Sequence, residues 1–288
     1  MTIEFFKYHG LGNDYIVIDP NLCPNQFQLT PKNIQLICNR NLGIGSDGIL
    51  YGPITQENGS FALRIYNPDG SEAEKSGNGM RIFAYFLSTM GYVNKQEFQF
   101  NLDISGEIIH AKIINTDPYL ITLNMGKYLF GQYYNNGNTQ ERIVNKPINI
   151  DGKEIYITCV NVGNPHCVII KDHISLEETK HLGPLIENHP LFYNRVNVQF
   201  VQVIDKDNIK IHIWERGAGY TLASGSSSTA AACVTSHLQL TNKELTVHMP
   251  GGSASLSVRQ DDVLLTGTVS SIMRGEMSEE FFNQLISI

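Results

Sequence analysis

The sequence predicts an α+β fold of two pseudo-symmetric domains, each a mostly antiparallel sheet wrapped around a central helix. Three observations carry this. At 288 residues the chain is long for a single core. Short strand-like segments dominate it, with two apolar helix candidates set among them. One short pattern also occurs twice, half a chain apart. Ser76-Gly77-Asn78-Gly79 opens the apolar stretch Met80 to Leu87, and Ser224-Gly225-Ser226-Ser227 opens Ala230 to Leu238.

The offset between the two serines is 148 residues (224 minus 76), and Ile65-Tyr66 aligns with Ile213-Trp214 at the same offset. Gly12-Asn13 and Gly163-Asn164, 151 residues apart, each precede a β-branched run, Ile16-Val17-Ile18 and Val168-Ile169-Ile170. Such self-similarity marks a duplicated unit. The expected halves are 1–124 with about 270–288, and 125–269, with Asn124-Met125-Gly126 as the crossing.

The elements follow in order. Strands are expected at Ile3–Tyr8, Tyr15–Asp19, Ala62–Asn67, Glu97–Leu102, Ile108–Ile114 and Leu120–Asn124. The second half offers Ile155–Val162, Cys167–Ile170, Val196–Val203, Ile209–Trp214, Leu245–His248 and Val263–Gly267. Pro31 to Asn39 reads as a helix with proline at its first position, where the missing N–H costs nothing. Gly77 to Met90 and Ser226 to Leu238 are the repeat helices; Leu176 to Leu182 and Ser278 to Leu285 complete the set. Ala230-Ala231-Ala232-Cys233-Val234 is small and apolar, as a helix enclosed by a sheet must be. The polar stretch Gly131–Gly137 reads as a hairpin tip.

Composition narrows the function. The chain is 42% hydrophobic and 17% charged, with net charge −7. It shows no cluster of Lys and Arg, which argues against nucleic acid and anionic membrane partners. MTIEFFKYHG lacks the basic and apolar regions of a signal peptide, and no apolar run approaches a membrane span. The five cysteines are odd in number and form no CxxC pair, so a disulfide scaffold and a zinc site are not expected. The expected compartment is the cytoplasm. Homodimerisation stays open.

Asn and Gly concentrate in short blocks, His9 to Asp14, Asn67 to Gly70, Ser76 to Gly79 and Gly163 to His166. Turn chemistry alone accounts for any single block; recurrence at related positions adds a functional reading. Serine is a good N-cap, and the following glycine lets backbone N–H groups approach a ligand. A helix start attracts an anion such as a carboxylate. If the halves face each other, two such starts flank one substrate and suit proton transfer from one face of a carbon to the other. Capping without chemistry is the competing reading. Glu215-Arg216 follows an apolar strand and precedes Gly217-Ala218-Gly219. Arg216 suits bidentate carboxylate binding, against a structural ion pair with Glu215. Gly43-Ile44-Gly45-Ser46-Asp47-Gly48 has the wrong spacing for a dinucleotide loop.

These blocks, HGLGNDY, GIGSDG, RIYNPDGSEAEKSGNG, GNPH, RVNVQFV, WERGAGYTLASG and MPGG, together resemble the diaminopimelate epimerase family over nearly the whole chain. The resemblance implies two similar α+β domains, no pyridoxal phosphate or other cofactor, no metal, and an amino acid as ligand. It implies interconversion of LL- and meso-diaminopimelate in lysine and peptidoglycan precursor synthesis. The family's two catalytic cysteines fall on Ser76 and Ser224, and its second motif, Cys-Gly-Thr-Gly, becomes Ser224-Gly225-Ser226-Ser227. A serine hydroxyl is a far weaker acid than a thiol and needs an activating base.

The remaining site residues match by position. Asn67, Asn164, Asn197, Glu215 and Arg216 fall where the family grips the remote end of the substrate. Asn13 falls near the reacting centre, and His166 and Glu215 fall close enough to assist there. Gly77, Asn78, Gly225 and Ser226 match the α-carboxylate donors. The alternatives are a divergent paralogue with a changed isomerase or lyase reaction, and a catalytically silent amino-acid binder.

Overall fold

The structure, a computed structural model, describes residues 2–130 and 142–287. The expected hairpin tip Gly131–Gly137 lies outside them. Packing divides the chain into two compact units, Met1–Leu123 with Thr268–Ile288, and Asn124–Gly267.

In the first unit the strands are β1 (Glu4–Gly10), β2 (Asn13–Ile18), β3 (Ile49–Thr55), β4 (Phe61–Tyr66), β5 (Glu72–Ala73), β6 (Glu97–Leu102), β7 (Ile108–Thr116) and β8 (Tyr119–Asn124). The helices are α1 (Pro31–Cys38) and α2 (Gly77–Thr89). β1 pairs antiparallel with β2, β2 runs parallel to β3, β3 pairs antiparallel with β4, and β4 runs parallel to β6. Antiparallel pairs β6–β7 and β7–β8 complete this side. Ser270–Glu276 returns to pair antiparallel with β1. α2 packs against β1, β2, β3 and β7, so the sheet curves round it. Its apolar stretch is buried from Met80 through Ala84, with Phe86 and Leu87. α1 covers the other face, placing Ile34, Ile37 and Cys38 against Phe5, Ile16, Ile18 and Ile49. The alternation of inward residues along β1 and β2 supplies both faces.

The second unit repeats this plan. Its strands are β9 (Leu129–Phe130), β10 (Lys146–Ile150), β11 (Lys153–Asn161), β12 (Pro165–Ile170), β13 (Asn197–Val203), β14 (Asn208–Glu215), β15 (Gly219–Thr221), β16 (Glu244–Met249), β17 (Gly252–Val258) and β18 (Val263–Thr268). The helices are α3 (Leu176–Glu187) and α4 (Gly225–His237). β11 and β12 are antiparallel, β12 and β13 parallel, β13 and β14 antiparallel, β14 and β16 parallel. Hairpins β16–β17 and β17–β18 follow. The order of parallel and antiparallel pairs is that of the first unit, with α4 in the place of α2 and α3 in that of α1. α4 packs against β11, β12, β13, β14, β16 and β17.

α4 is buried on every side from Ser227 through Thr235. Its small residues let six strands approach, and three of its hydroxyls are satisfied within the helix. Ser228 and Thr229 donate to the Gly225 carbonyl at 2.9 and 2.8 Å, and Thr235 donates to that of Ala231 at 3.0 Å.

Seven strands were not foreseen: the short Glu72–Ala73, Leu129–Phe130 and Gly219–Thr221, and four longer ones. Ile49–Thr55 is interrupted by Gly52-Pro53, Gly252–Val258 alternates with serine rather than charge, and Lys146–Ile150 and Ser270–Glu276 are short of buried side chains. α3 runs past the expected Leu182 to Glu187, carrying Pro184. Among the described residues no helix is long and apolar enough to cross a membrane.

The packing of α4 makes a direct prediction. Ala231 is fully buried; Ala231→Leu should overpack the helix and lower stability by about 1–3 kcal/mol. Urea denaturation should show a lower midpoint with the same slope.

Candidate functional site

In the first unit the residues singled out by sequence gather at the start of α2. Ser76 is the N-cap, and its Oγ accepts a hydrogen bond from the Gly79 N–H at 3.1 Å. A side chain on Gly79 would lie 3.2 Å from the Ser76 Oγ and 3.0 Å from Leu50, so glycine leaves this hydroxyl its room. The Asn78 amide donates to Asn13 Oδ1 at 3.1 Å, and Asn13 donates to Asp47 at 2.9 Å. Asp47 also accepts the Asp14 N–H at 3.2 Å and an Arg40 N–H at 2.7 Å.

Lys7 and Arg40 hold Asp14 at 3.1 and 2.7 Å. Burial pushes the Asp14 carboxyl up, but the hydrogen bonds from Arg40 and Lys7 outweigh it and hold it below its ordinary value. The glycine-rich block 43–48, set aside as a nucleotide loop, is thus the collar that delivers Asp47 to Asn13. Asp47 is a residue the sequence reading missed, because its partner lies 34 positions away.

Behind Asn78 lies Arg81, fully buried, donating to Asn78 Oδ1 at 2.6 Å. Its Nε and Nη1 meet no acceptor. Burial lowers the guanidinium to about 10, so it remains a cation at neutral pH. It adds to the positive field of the α2 start. Tyr15, on β2, places its hydroxyl 3.0 Å from the Ser76 Oγ. Asn67 stands apart from this group. It is exposed, and its amide donates to Ser71 at 3.0 Å inside the β4–β5 turn.

In the second unit Ser224 caps α4, accepting from the Ser227 N–H at 3.4 Å, with the Ser226 hydroxyl also at 3.4 Å. Ser227 occupies the position of Gly79. Its hydroxyl, fully buried, accepts from Gln199 at 3.1 Å. The changed fourth letter of this motif therefore has a packing partner on β13. Gln199 was not foreseen, because an inward strand residue reveals no partner in sequence.

Asn164, His166, Asn197, Glu215 and Arg216 form a second group. His166 pairs with Asn197 across the parallel β12–β13 register. Its Nε2 lies 2.8 Å from Asn164 Oδ1. Asn197 donates to the Pro165 carbonyl at 3.0 Å and accepts the Arg216 N–H at 3.0 Å. The Arg216 guanidinium meets the Asn194 carbonyl at 3.4 Å and, among the described residues, no carboxylate.

A further residue sets this loop. Glu187, buried at the end of α3, accepts from the Trp214 indole at 2.7 Å, the Gly217 N–H at 2.9 Å and Arg195 at 3.1 Å. These three donors compensate its burial and pin the turn after Arg216. α3 comes close enough because Gly183 has no side chain: a Cβ there would lie 2.6 Å from the Trp214 ring. Among the described residues no group of three or more His, Cys, Asp and Glu is placed to hold a metal ion.

Burial pushes the His166 imidazole from its ordinary 6.5 down to about 3; the Gln199 hydrogen bond works against this and the Arg216 charge with it. The ring is neutral at physiological pH and a weak proton acceptor, suited to orienting Asn164. The unfolded chain takes up this proton near its ordinary value and the folded chain only near 3. The unfolded state thus binds more protons between these values, and stability falls as pH falls through that window. The slope contributed is at most ~1.4 kcal/mol per pH unit. Urea unfolding from pH 7 to 4 should show a steeper loss for the parent than for His166→Gln; parallel losses would refute the buried neutral ring.

The family model described as diaminopimelate epimerase matches residues 5–130 and 158–274. "Diaminopimelate epimerase 2" of Nostoc sp. is 45% identical over 283 residues, 97% of each chain. "Diaminopimelate epimerase" of Nostoc punctiforme is 34% identical over 281 residues, 96% of this chain and all of that one. "Diaminopimelate epimerase 1" of Nostoc sp. is 32% identical over the same share of this chain, 96%. Among solved structures, a probable proline racemase from Agrobacterium radiobacter aligns with TM-score 0.70 at 12% identity, covering 99% of this chain and 95% of that one. A hydroxyproline epimerase from Agrobacterium vitis aligns with TM-score 0.68 at 13% identity, covering 96% and 93%. These structural likenesses concern the fold. The family match and the near full-length identities agree with the repeated sheet-and-helix plan: the chain belongs to the diaminopimelate epimerase family.

Proposed function

We propose that this chain is a cofactor-independent isomerase that interconverts LL- and meso-diaminopimelate in lysine and peptidoglycan precursor synthesis, in the cytoplasm. The observation that carries the reading is the near full-length identity to proteins named diaminopimelate epimerase. In this reading one proton leaves the α-carbon and another is returned on its opposite face. Ser76 and Ser224 are the proton-transfer groups, at the positions where the family has its catalytic cysteines. The N–H groups of Gly77 and Asn78, and of Gly225 and Ser226, hold the α-carboxylate. Each pair opens a helix whose dipole favours an anion and the negative charge that develops as the proton leaves.

Asn67, Asn164, Asn197, Glu215 and Arg216 take the remote amino-acid end. Arg216 supports this: a half-buried guanidinium with no carboxylate partner among the described residues is suited to a ligand carboxylate. Asn13, braced by Asn78 and Asp47, lies in the same bonded group as the Ser76 turn. His166 orients Asn164 and is not the base, since its neutral form persists far below neutral pH.

One observation favours a second reading, a divergent paralogue with a changed reaction or a silent amino-acid binder. Nostoc sp. holds two proteins named as epimerases of this kind, and this chain is 45% identical to the second against 32% to the first. Two serines at the proton-transfer positions fit such a divergence. Deuterium exchange at the α-carbon in D2O separates the readings. Exchange with inversion supports the epimerase, elimination supports a changed reaction, and binding without exchange supports the silent binder.

Arg216→Ala should weaken diaminopimelate binding by roughly 1.5–3 kcal/mol, the loss of a charge-assisted hydrogen bond. Calorimetry showing unchanged affinity would remove Arg216 from the site. The double substitution Ser76→Cys, Ser224→Cys should raise α-proton exchange, because a thiol of ordinary pKa ~8.5 at a helix start is far more readily ionised than a hydroxyl. The check is loss of the α-proton NMR signal in D2O at matched pH. A double variant no faster than the parent would mean the turn has diverged beyond the base.

A further inference from the structure

A serine at a proton-transfer position has one difficulty: its hydroxyl is a far weaker acid than a thiol and needs a partner to take its proton. His166 is not in the first unit and is a weak acceptor. Among the described residues of the first unit, the group at hydrogen-bond distance from the Ser76 Oγ, apart from the helix amide of Gly79, is the Tyr15 hydroxyl at 3.0 Å. A phenol ionises near ~10, far below an aliphatic hydroxyl.

The contact is built into the fold. Tyr15 lies on β2 between β1 and β3, opposite Tyr8 and next to the Ile16–Ile49 pair. It is buried, 7% exposed. Its ring fills the space that a side chain on Gly48 would take: a Cβ there would lie 2.7 Å from Tyr15 Cε1 and 2.4 Å from the Tyr66 carbonyl. The Ser76 Oγ is fixed from the other side by the Gly79 N–H. Two rigid elements thus hold the two hydroxyls together, and the buried Arg81 cation on the same helix favours negative charge there. The second unit differs. Ser224 has the Ser226 hydroxyl at 3.4 Å, which is no more acidic than itself.

We propose that the Tyr15 hydroxyl is the partner that takes the Ser76 proton, so that the proton-transfer group of the first unit is a Ser76–Tyr15 relay rather than a serine acting alone. This rests on the epimerase reading above. The phenolate form of Tyr15 accepts the hydroxyl proton of Ser76 as the Ser76 oxygen forms a new O–H bond with the α-proton of the substrate. The C–H bond breaks and its electron pair stays on the α-carbon. Ser224 then gives its hydroxyl proton to that carbon on its other face, and water carries the proton acquired by Tyr15 back to the Ser224 oxygen, restoring both groups. In the reverse direction Tyr15 and Ser76 return the proton by the same path. Tyr15 acts through Ser76 and is a positioning and relay residue.

The test is α-proton exchange of LL- and meso-diaminopimelate in D2O on four full-length proteins: parent, Tyr15→Phe, Ser76→Cys, and the two substitutions combined. Tyr15→Phe should lower kcat by about 10²–10⁴, the range for losing a general base, with KM within about threefold. The loss should be greater for exchange out of one epimer than the other, since only one face meets Ser76. In the Ser76→Cys background the same substitution should cost at least tenfold less, because a thiol ionises without a phenol. Equal factors in both backgrounds, or equal loss for both epimers, would make Tyr15 a packing residue and overturn the relay. Full activity of Tyr15→Phe would overturn it too, while leaving the epimerase reading intact. A parent with no exchange on either epimer would overturn the epimerase reading and the relay with it.

Discussion

A helix start enclosed by a sheet leaves amides in need of acceptors. Both α2 and α4 satisfy one of these amides with a serine oxygen. Ser76 accepts from Gly79 N–H and Ser224 from Ser227 N–H. The rest of each unit is arranged so that this cap can exist. Strands curve round the helix, the residue after the cap is glycine, and the turn leading in is extended. The atom that closes the helix is the same atom proposed to handle the proton. Its position is therefore set by a demand of the fold, and the dipole it caps points where an anion is needed.

The two caps are alike in backbone and different in company. Around Ser76 are an aromatic hydroxyl, two asparagines and a buried guanidinium. Around Ser224 are other serines, one bound by Gln199. Proton transfer on two faces of a carbon does not require identical groups, only groups whose acidities allow one to give while the other takes. A duplicated fold provides equivalent positions, and the side chains around them make their chemistry unequal. Supporting contacts follow the same pattern of distant recruitment. Asp47 reaches Asn13, and Glu187 reaches Trp214 and Gly217. Such outer partners fix the orientation of groups that touch a ligand, and their loss is felt as misplacement rather than as a missing contact.

The internal repeat, the helix starts at Ser76 and Ser224, and most strands were legible from the chain alone. They are written in local pattern: a capping residue, a glycine, an apolar run, period-two alternation. The motif blocks named the family for the same reason, since contiguous turns keep their letters together. The missed strands, such as Ile49–Thr55 with its internal Gly52-Pro53, carry breakers that tertiary pairing overrides.

What only the tertiary structure decided is which side chains meet. That Tyr15 touches Ser76, 61 positions on, depends on β2 lying beneath the start of α2. That Glu187 reaches Trp214 and Gly217, while Arg216 meets no carboxylate among the described residues, depends on where α3 delivers Glu187. The sequence determined most of the segments that become strands, helices and turns, because those choices rest on interactions within a few residues. The acidity of His166 and the isolation of Arg81 rest on burial, and burial is a property of the assembled sheet and helix rather than of any stretch of chain.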